Sequence, residues 1–123
     1  MAKVLVVDDS KFMRLIIKNY LEKDSGGEHQ VVGEAEDGTV AIEKYKALKP
    51  DLVTMDIIMP VESGLMAVKG IMEFDRNAKI IMVSAMGQEK IADEAQKLGA
   101  KAFVVKPVKS EDLLGCIKKL LGK

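Results

Sequence analysis

Hydrophobic and polar residues along the chain follow two alternating patterns. Short runs rich in Val, Ile and Leu have the length of strands, in which branched side chains are favoured. They lie at residues 4–7, 52–55, 80–83 and 103–105, with a weaker and more polar run at 31–35. After each run, apolar residues recur every three or four positions, which predicts helices within 12–21, 40–48, 65–72, 91–98 and 113–121. The pattern is therefore a strand followed by a helix, five times over.

This alternation predicts one α/β domain with a parallel sheet and helices on both of its faces. Ser10 and Ser110 are the expected N-caps of the first and last helices, and Gly99 ends the fourth. Residues 24–30 form a long polar stretch, for which we expect a connecting loop with a solvated His29. No repeat or linker divides the sequence, so we expect a single domain over residues 1–123 with no output domain.

The composition limits the classes of partner. The chain has 123 residues, of which 48% are hydrophobic and 31% charged, as in an ordinary globular domain. Its 19 basic and 19 acidic residues give a formal net charge of zero, so no bulk electrostatic attraction to nucleic acid or to an anionic membrane is expected. The single cysteine, Cys116, cannot form an internal disulfide, and the apolar run near the N-terminus is too short for a signal peptide or a membrane span. We expect a cytoplasmic protein without membrane insertion.

Polar side chains follow four of the five predicted strands. In open α/β sheets, ligands bind beyond the carboxyl ends of the strands, where the strand order reverses. Asp9 and Asp56 can reach a common point only if the first and third strands are neighbours, because an intervening strand would separate them by roughly 10 Å. A shared site therefore favours the strand order 2-1-3-4-5. The residues at these strand ends are Asp8, Asp9, Asp56, Ser84 and Lys106.

These side chains suit the transfer of a phosphoryl group. Three crowded carboxylates repel one another unless a cation lies between them, and oxygen ligands favour Mg²⁺, with Mn²⁺ as an alternative. Three aspartates, one divalent ion and Lys106 sum to zero formal charge, so an incoming phosphoryl group would not be repelled. Asp56 could then attack phosphorus, while the metal and Lys106 stabilise the phosphoryl oxygens and the Ser84 hydroxyl donates a hydrogen bond. Taken singly, each of these residues could instead be a cap or turn residue.

The same residues lie in motifs that resemble the receiver domain of two-component response regulators, in its single-domain, chemotaxis-type branch. The resemblance covers essentially the whole chain, and it implies a flavodoxin-like fold with the strand order 2-1-3-4-5. It also implies that Asp56 is the phosphoacceptor and that Ser84 and Lys106 contact the phosphoryl group. The metal would be held by Asp8, Asp9 and Asp56, together with the backbone carbonyl of Ile58. The motifs are Val-Val-Asp8-Asp9-Ser, Met-Asp56-Ile-Ile-Met-Pro60-Val-Glu-Ser-Gly64, Val-Ser84-Ala and Val-Lys106-Pro107.

The resemblance further implies a signalling switch rather than an enzyme that turns over an external substrate. A sensor histidine kinase would donate the phosphoryl group, and the domain would later hydrolyse its own aspartyl phosphate. Ser84 would move toward the phosphoryl group and the ring of Phe103 would turn into the vacated space, which shifts an existing equilibrium. The output face would comprise the fourth helix, the fifth strand and the fifth helix. The expected pathway is chemotaxis or motility control, and the flagellar motor switch is one candidate target.

Other functions remain open at this point. A single receiver domain could serve as a phosphorelay intermediate, regulate a separate enzyme, or act as a binding module that is not phosphorylated. A Mg²⁺-dependent phosphatase of the haloacid dehalogenase type also uses an aspartyl nucleophile, but it needs a second acid two residues later, where Ser10 or Ile58 stands here. In a flavodoxin, Asp8 and Asp9 would repel the flavin phosphate. The glycine-rich motif of P-loop nucleotidases is missing from the sequence.

Overall fold

The computed structural model describes residues 2–57, 59 and 64–122. Within these residues, five parallel strands alternate with five α-helices, and the strand order β2-β1-β3-β4-β5 confirms the predicted flavodoxin-like α/β fold. None of the described helices combines the length and apolar character needed to cross a membrane. The elements are β1 Ala2–Val7, α1 Lys11–Asn19, β2 His29–Ala35, α2 Gly38–Leu48, β3 Leu52–Asp56, α3 Gly64–Phe74, β4 Ile80–Ser84, α4 Glu89–Leu98, β5 Ala102–Val105 and α5 Ser110–Leu120.

The hydrophobic core lies in two layers, one on each face of the sheet. Side chains alternate between the two faces along each strand, so β1 sends Leu5 and Val7 to one layer and Val4 and Val6 to the other. The first layer is covered by α2, α3 and α4, and the second by α1 and α5. Burial of these apolar side chains is the main force that holds the helices on the sheet.

Local signals mark two of the predicted helix ends. The Ser10 side chain accepts a hydrogen bond from the Met13 N–H and begins α1, as predicted, and Gly99 ends α4 with a φ of 125° that favours glycine. The predicted N-cap at Ser110 is wrong by one residue, because Lys109 occupies the cap position and Ser110 is the first residue of α5. Acidic residues in the first turn of α5, Glu111 and Asp112, complement the helix dipole there.

The polar stretch 24–30 differs from the expected solvated loop. After α1 the chain continues in a π-helical turn over Tyr20–Asp24, and β2 begins at His29, which pairs with Ala2 of β1 and is buried. The prediction of a solvated His29 is therefore wrong. The cause is tertiary: β1 starts two residues before its apolar run, and its parallel partner is drawn into the sheet with it.

Candidate functional site

The functional side chains meet at the carboxyl end of the sheet because three strands end there side by side. β3 lies between β1 and β4. The strand ladders run on past the strand ends, with the Asp8 N–H donating to the Ala35 carbonyl at 3.0 Å and the Ile57 N–H to the Val83 carbonyl at 3.3 Å. These bonds fix the backbone of the first residue after β1 and after β3.

The alternation of side chains places the key groups on one side of the sheet. Asp8 continues the series Val4, Val6 of β1, whose members face α1 and α5. Asp56 lies four residues after Leu52 of β3, and Lys106 lies two residues after Val104 of β5, so each points to the same side of the sheet as that residue. Leu52 and Val104 belong to the same core layer as Val4 and Val6. The regular alternation along β1, β3 and the edge strand β5 thus places two carboxylates and an ammonium group on the same side of the sheet.

Three carboxylates converge there. One oxygen from each of Asp8, Asp9 and Asp56 lies within 4.8 Å of the others. Asp8 and Asp56 are buried, with 1% and 5% of their surface exposed, whereas Asp9 reaches solvent. The structure therefore brings together the three acids whose shared site the sequence analysis assumed when it predicted the strand order.

Asp8 is a buried acid that is only partly compensated. Its Oδ1 accepts a hydrogen bond from the Ser10 N–H at 2.9 Å, while its Oδ2 has no hydrogen-bond partner among the described residues. Burial, with the nearby charge of Asp56 adding to it, raises the pKa of Asp8 to about 6, although the Ser10 bond and Lys106 oppose the rise. The fold thus holds a carboxyl group in surroundings that disfavour its charge.

Asp56 is paired with the lysine that follows β5. The Nζ of Lys106 lies 3.3 Å from Oδ1 of Asp56, in an ion pair that is more exposed on the lysine side. Burial nevertheless raises the pKa of Asp56, and the ammonium group of Lys106 offsets only part of the rise. A single cation therefore does not balance the acids of this cluster.

The backbone beyond Asp56 is packed against a glycine. The Gly64 N–H donates to the Ile57 carbonyl at 2.8 Å, and a Cβ at residue 64 would come within 2.3 Å of the Asp56 carbonyl oxygen. Any larger residue would push this strand end away, so Gly64 allows the close approach of α3 to β3. Ile58, whose carbonyl is a predicted metal ligand, lies outside the described residues.

The remaining predicted site residues lie on β4 and β5. Ser84 is buried at the end of β4, and its carbonyl accepts the Lys106 N–H at 2.7 Å, which joins the ends of the two strands. Phe103 lies three residues before Lys106 on edge strand β5 and is 37% exposed. The structure thus brings Ser84 and Lys106 to the same rim, while the Phe103 ring is partly open to solvent on the strand.

The donor set fits a small, hard cation. All three acids offer oxygen, the ligand atom that Mg²⁺ and Mn²⁺ prefer, and the buried Oδ2 of Asp8 needs a positive partner. With the three carboxylates ionised and Lys106 protonated, the formal charge of the cluster is −2, which one divalent ion would neutralise. The cluster could therefore hold a metal ion.

One contact at this site was missed by the sequence analysis. Arg14, in the first turn of α1, donates from Nη1 to the Asp8 carbonyl at 2.6 Å and from Nε to Oε1 of Glu34 at 3.0 Å. In the sequence it is one of 19 basic residues and has no distinguishing neighbour. A usable signal was its position four residues after the Ser10 cap, which turns it back toward the start of the helix.

The comparison with known protein families agrees with this geometry. Residues 4–118 match the model of the response regulator receiver domain. This chain belongs to the response regulator receiver family. The family consists of signalling domains, and the chain shares its fold, as the strand order and the placement of the acids indicate.

Sequence similarity to two known proteins covers nearly the whole chain. The chain is 48% identical over 122 residues to protein CcdB of Bacillus subtilis, covering 99% of both chains. It is 49% identical over 118 residues to chemotaxis protein CheY of Thermotoga maritima, covering 96% of both. Among solved structures, it superposes with a TM-score of 0.90 on a chain from the CheX–CheY–BeF₃–Mg²⁺ complex of Borrelia burgdorferi, at 37% identity, covering 98% of this chain and 90% of that one.

Proposed function

We propose that this receiver domain is a phosphorylation-activated switch of a two-component system, acting in chemotaxis or motility control. The observation that carries the proposal is the buried carboxylate of Asp56, with the Lys106 ammonium 3.3 Å away and two further acids within 4.8 Å. The pathway is supported by the relative named chemotaxis protein CheY at 49% identity.

In the proposed reaction, a carboxylate oxygen of Asp56 attacks the phosphorus of a phosphohistidine on a sensor kinase. A P–O bond to Asp56 forms while the P–N bond breaks, and the imidazole leaves with the electron pair of that bond. Lys106 stabilises negative charge on the phosphoryl oxygens, and the Ser84 hydroxyl donates a hydrogen bond to one of them. Asp8 and Asp9 complete the set of acids, and a bound Mg²⁺ would neutralise charge that otherwise repels the phosphoryl group.

The metal ligands in this proposal are Asp8, Asp9 and Asp56, with the Ile58 carbonyl as a fourth protein ligand. The orphaned Oδ2 of Asp8 supports this assignment, because a buried carboxylate oxygen without a donor is costly unless a cation compensates it. The raised pKa of Asp8 has the same cause. Mn²⁺ would satisfy the same oxygen ligands.

We further infer that phosphorylation is reported by Ser84 and Phe103 to the face formed by α4, β5 and α5. Movement of Ser84 toward the phosphoryl group would leave space that the half-exposed ring of Phe103 can enter. The chain would act as a cytoplasmic single domain over residues 1–123, without turnover of an external substrate. The extent of the domain is supported by two relatives, of whose own lengths this chain covers 99% and 96%.

The test is phosphorylation by a small-molecule donor. Incubation with acetyl phosphate and Mg²⁺, followed by intact-mass measurement, is expected to add one phosphoryl group to the wild type and none to Asp56→Asn. Asp51→Asn, which alters an aspartate at the opposite end of β3, is the matched control and should be labelled normally. Labelling of the Asp56→Asn variant, or none of the wild type, would contradict the proposal, and continuous release of phosphate from a generic phosphomonoester would favour a phosphatase.

A further inference from the structure

Arg14 makes two hydrogen bonds that join the segment after β1, which carries Asp8 and Asp9, to the neighbouring strand β2. Its Nη1 donates to the carbonyl of Asp8 at 2.6 Å, and its Nε donates to Oε1 of Glu34 at 3.0 Å. The arginine side chain is only 14% exposed and Asp8 is buried, so the bond to the Asp8 carbonyl is shielded from competing water, whereas the Glu34 side chain is 41% exposed. Glu34 belongs to β2, the edge strand that pairs with β1 on the side away from β3.

We infer that Arg14 is a positioning residue for the acid cluster, one that fixes the peptide group between Asp8 and Asp9 and thereby the directions of both carboxylates. The inference rests on the proposed function, because it assigns a task to Arg14 only if the acids hold a metal ion. Arg14 itself does not belong to the acid cluster and contacts it through the Asp8 backbone.

The peptide group is a suitable point of control. Its atoms lie in one plane, so a rotation about the Cα–C bond of Asp8 that displaces the carbonyl oxygen also displaces the Cα of Asp9. The neighbouring parts of Asp8 are already fixed, since its N–H bonds the Ala35 carbonyl and its Oδ1 accepts the Ser10 N–H. The bond from Arg14 adds the carbonyl to these restraints and leaves the Oδ2 of Asp8 free to bind a cation.

The second bond of Arg14 keeps the guanidinium group in place. Glu34 accepts it through a charged hydrogen bond, and the Glu34 carbonyl in turn accepts a hydrogen bond from Lys44 Nζ. The planar guanidinium can bond two partners with a fixed angle between them, which a lysine ammonium cannot do with equal precision. The two hydrogen bonds of Arg14 therefore connect β2 to the loop after β1.

The charge of Arg14 alone would have the opposite effect on metal binding. A cation near the site repels a second cation, so neutralising Arg14 should strengthen Mg²⁺ binding if Coulomb forces were its whole contribution. If Arg14 positions the acids, neutralising it should weaken Mg²⁺ binding instead. The sign of the change therefore separates the two explanations.

The test compares Arg14→Gln with Lys11→Gln by isothermal titration calorimetry with Mg²⁺ at constant ionic strength. Lys11 is an exposed cation on the same helix, and its replacement removes one positive charge without altering the contact to Asp8. We expect Arg14→Gln to bind Mg²⁺ about tenfold more weakly than the wild type, in the range found for residues that support metal ligands. Lys11→Gln should bind equally well or slightly more tightly.

A second variant covers loss of folding. Arg14→Lys keeps the charge, so Coulomb forces predict no change in Mg²⁺ affinity. Loss of the planar guanidinium, which bonds two partners at once, predicts Mg²⁺ binding about threefold weaker. Unchanged or tighter binding in a folded Arg14→Gln overturns the inference. If circular dichroism shows Arg14→Gln unfolded, Arg14→Lys decides, and affinity within a factor of two of the wild type overturns it. Failure of the wild type to bind Mg²⁺ or accept a phosphoryl group would instead overturn the proposed function.

Discussion

Two partly buried carboxylate sites in this domain are built in opposite ways. Between α2 and α3, Asp75 accepts the Tyr45 hydroxyl at 2.8 Å on one oxygen and the Asn77 N–H at 2.9 Å on the other. At the rim of the sheet, Asp8, Asp9 and Asp56 crowd together, and among the described residues one oxygen of Asp8 has no donor. The first site is complete in itself, whereas the second needs a positive charge from outside the chain.

The comparison shows how to separate a structural acid from a functional one. Both kinds of acid can follow a regular element in the sequence, and both can cap a turn. What differs is whether the protein satisfies the charge it holds, because an uncompensated buried carboxylate lowers stability and is retained where the charge is used. The following predictions test this difference.

The largest effect is expected from Asp8→Asn in the metal-free protein. The amide can still accept the Ser10 N–H through its oxygen, and it removes a charge that burial disfavours. We expect the free energy of unfolding to rise by about 2 kcal/mol, since one pKa unit corresponds to about 1.4 kcal/mol and part of the desolvation cost remains with the amide. Urea unfolding in EDTA measures this.

The matched control is Asp51→Asn, at an aspartate whose Oδ2 accepts the Lys3 N–H at 2.8 Å. This aspartate is exposed, so its charge is hydrated and the variant should be no more stable than the wild type. Added Mg²⁺ should raise the Tm of the wild type and of Asp51→Asn but leave Asp8→Asn nearly unchanged, because ligand binding stabilises only the form that binds. A destabilised Asp8→Asn variant would place Asp8 with the structural acids.

The same carboxyl predicts a pH dependence for the metal-free protein. The pKa of Asp8 is 3.8 in its ordinary state and about 6 in the fold, so the folded protein binds more protons between these values. Stability therefore falls as pH rises from about 4 to about 6. This contribution is lost as the pH rises through about 6, and well above that value the curve becomes flat with respect to Asp8.

The measurement is the difference in unfolding free energy between the wild type and Asp8→Asn in EDTA at several pH values. We expect the advantage of Asp8→Asn to grow by about 1–2 kcal/mol between pH 4.5 and 7, since Asp8 stays protonated at the lower value. A constant difference across this range would show that Asp8 carries no abnormal proton affinity in the folded protein.

At the other carboxylate site, where Asp75 accepts the Tyr45 hydroxyl, substitution should lower rather than raise the free energy of unfolding. Tyr45→Phe keeps the edge-on ring contact with Phe74, whose centroid lies 6.2 Å away, and removes only the hydroxyl that donates to Asp75. We expect the free energy of unfolding to fall by about 1.5 kcal/mol, the usual cost of losing a hydrogen bond to a charged group. Urea unfolding checks this, and Mg²⁺ affinity should remain that of the wild type.

Sequence reasoning was most successful where geometry follows from a repeating period. The strand order was predicted from the need for Asp9 and Asp56 to meet, and the structure has both the order and the meeting. Asp56 and Lys106 lie on one side of the sheet, as alternation along β3 and β5 requires. The runs in β1, β3 and β4 mark strands clearly, because nearly all of their residues are apolar and buried.

It failed where the deciding contact lies in another element. His29 is buried because β2 pairs with the first residues of β1, a long-range contact that the polar sequence around it does not encode. Arg14 resembles any exposed helical cation until Glu34 of β2 and the Asp8 carbonyl lie beside it. Such bonds depend on the packed arrangement of elements, which residue spacing does not specify.

The smallest predicted effect concerns Thr54, a buried polar residue outside the acid cluster. Thr54 is buried on β3, two residues before Asp56 and on the same face of the sheet, and its hydroxyl has no hydrogen-bond partner among the described residues. If every unsatisfied polar group served the reaction, Thr54→Val would impair phosphorylation. We expect instead that phosphorylation by acetyl phosphate is unchanged and that the free energy of unfolding rises by about 1 kcal/mol. The methyl group of Val has nearly the same shape as the hydroxyl, and it needs no hydrogen bond when it is buried. Loss of phosphoryl uptake in a stable Thr54→Val variant would contradict this expectation and would add Thr54 to the functional site.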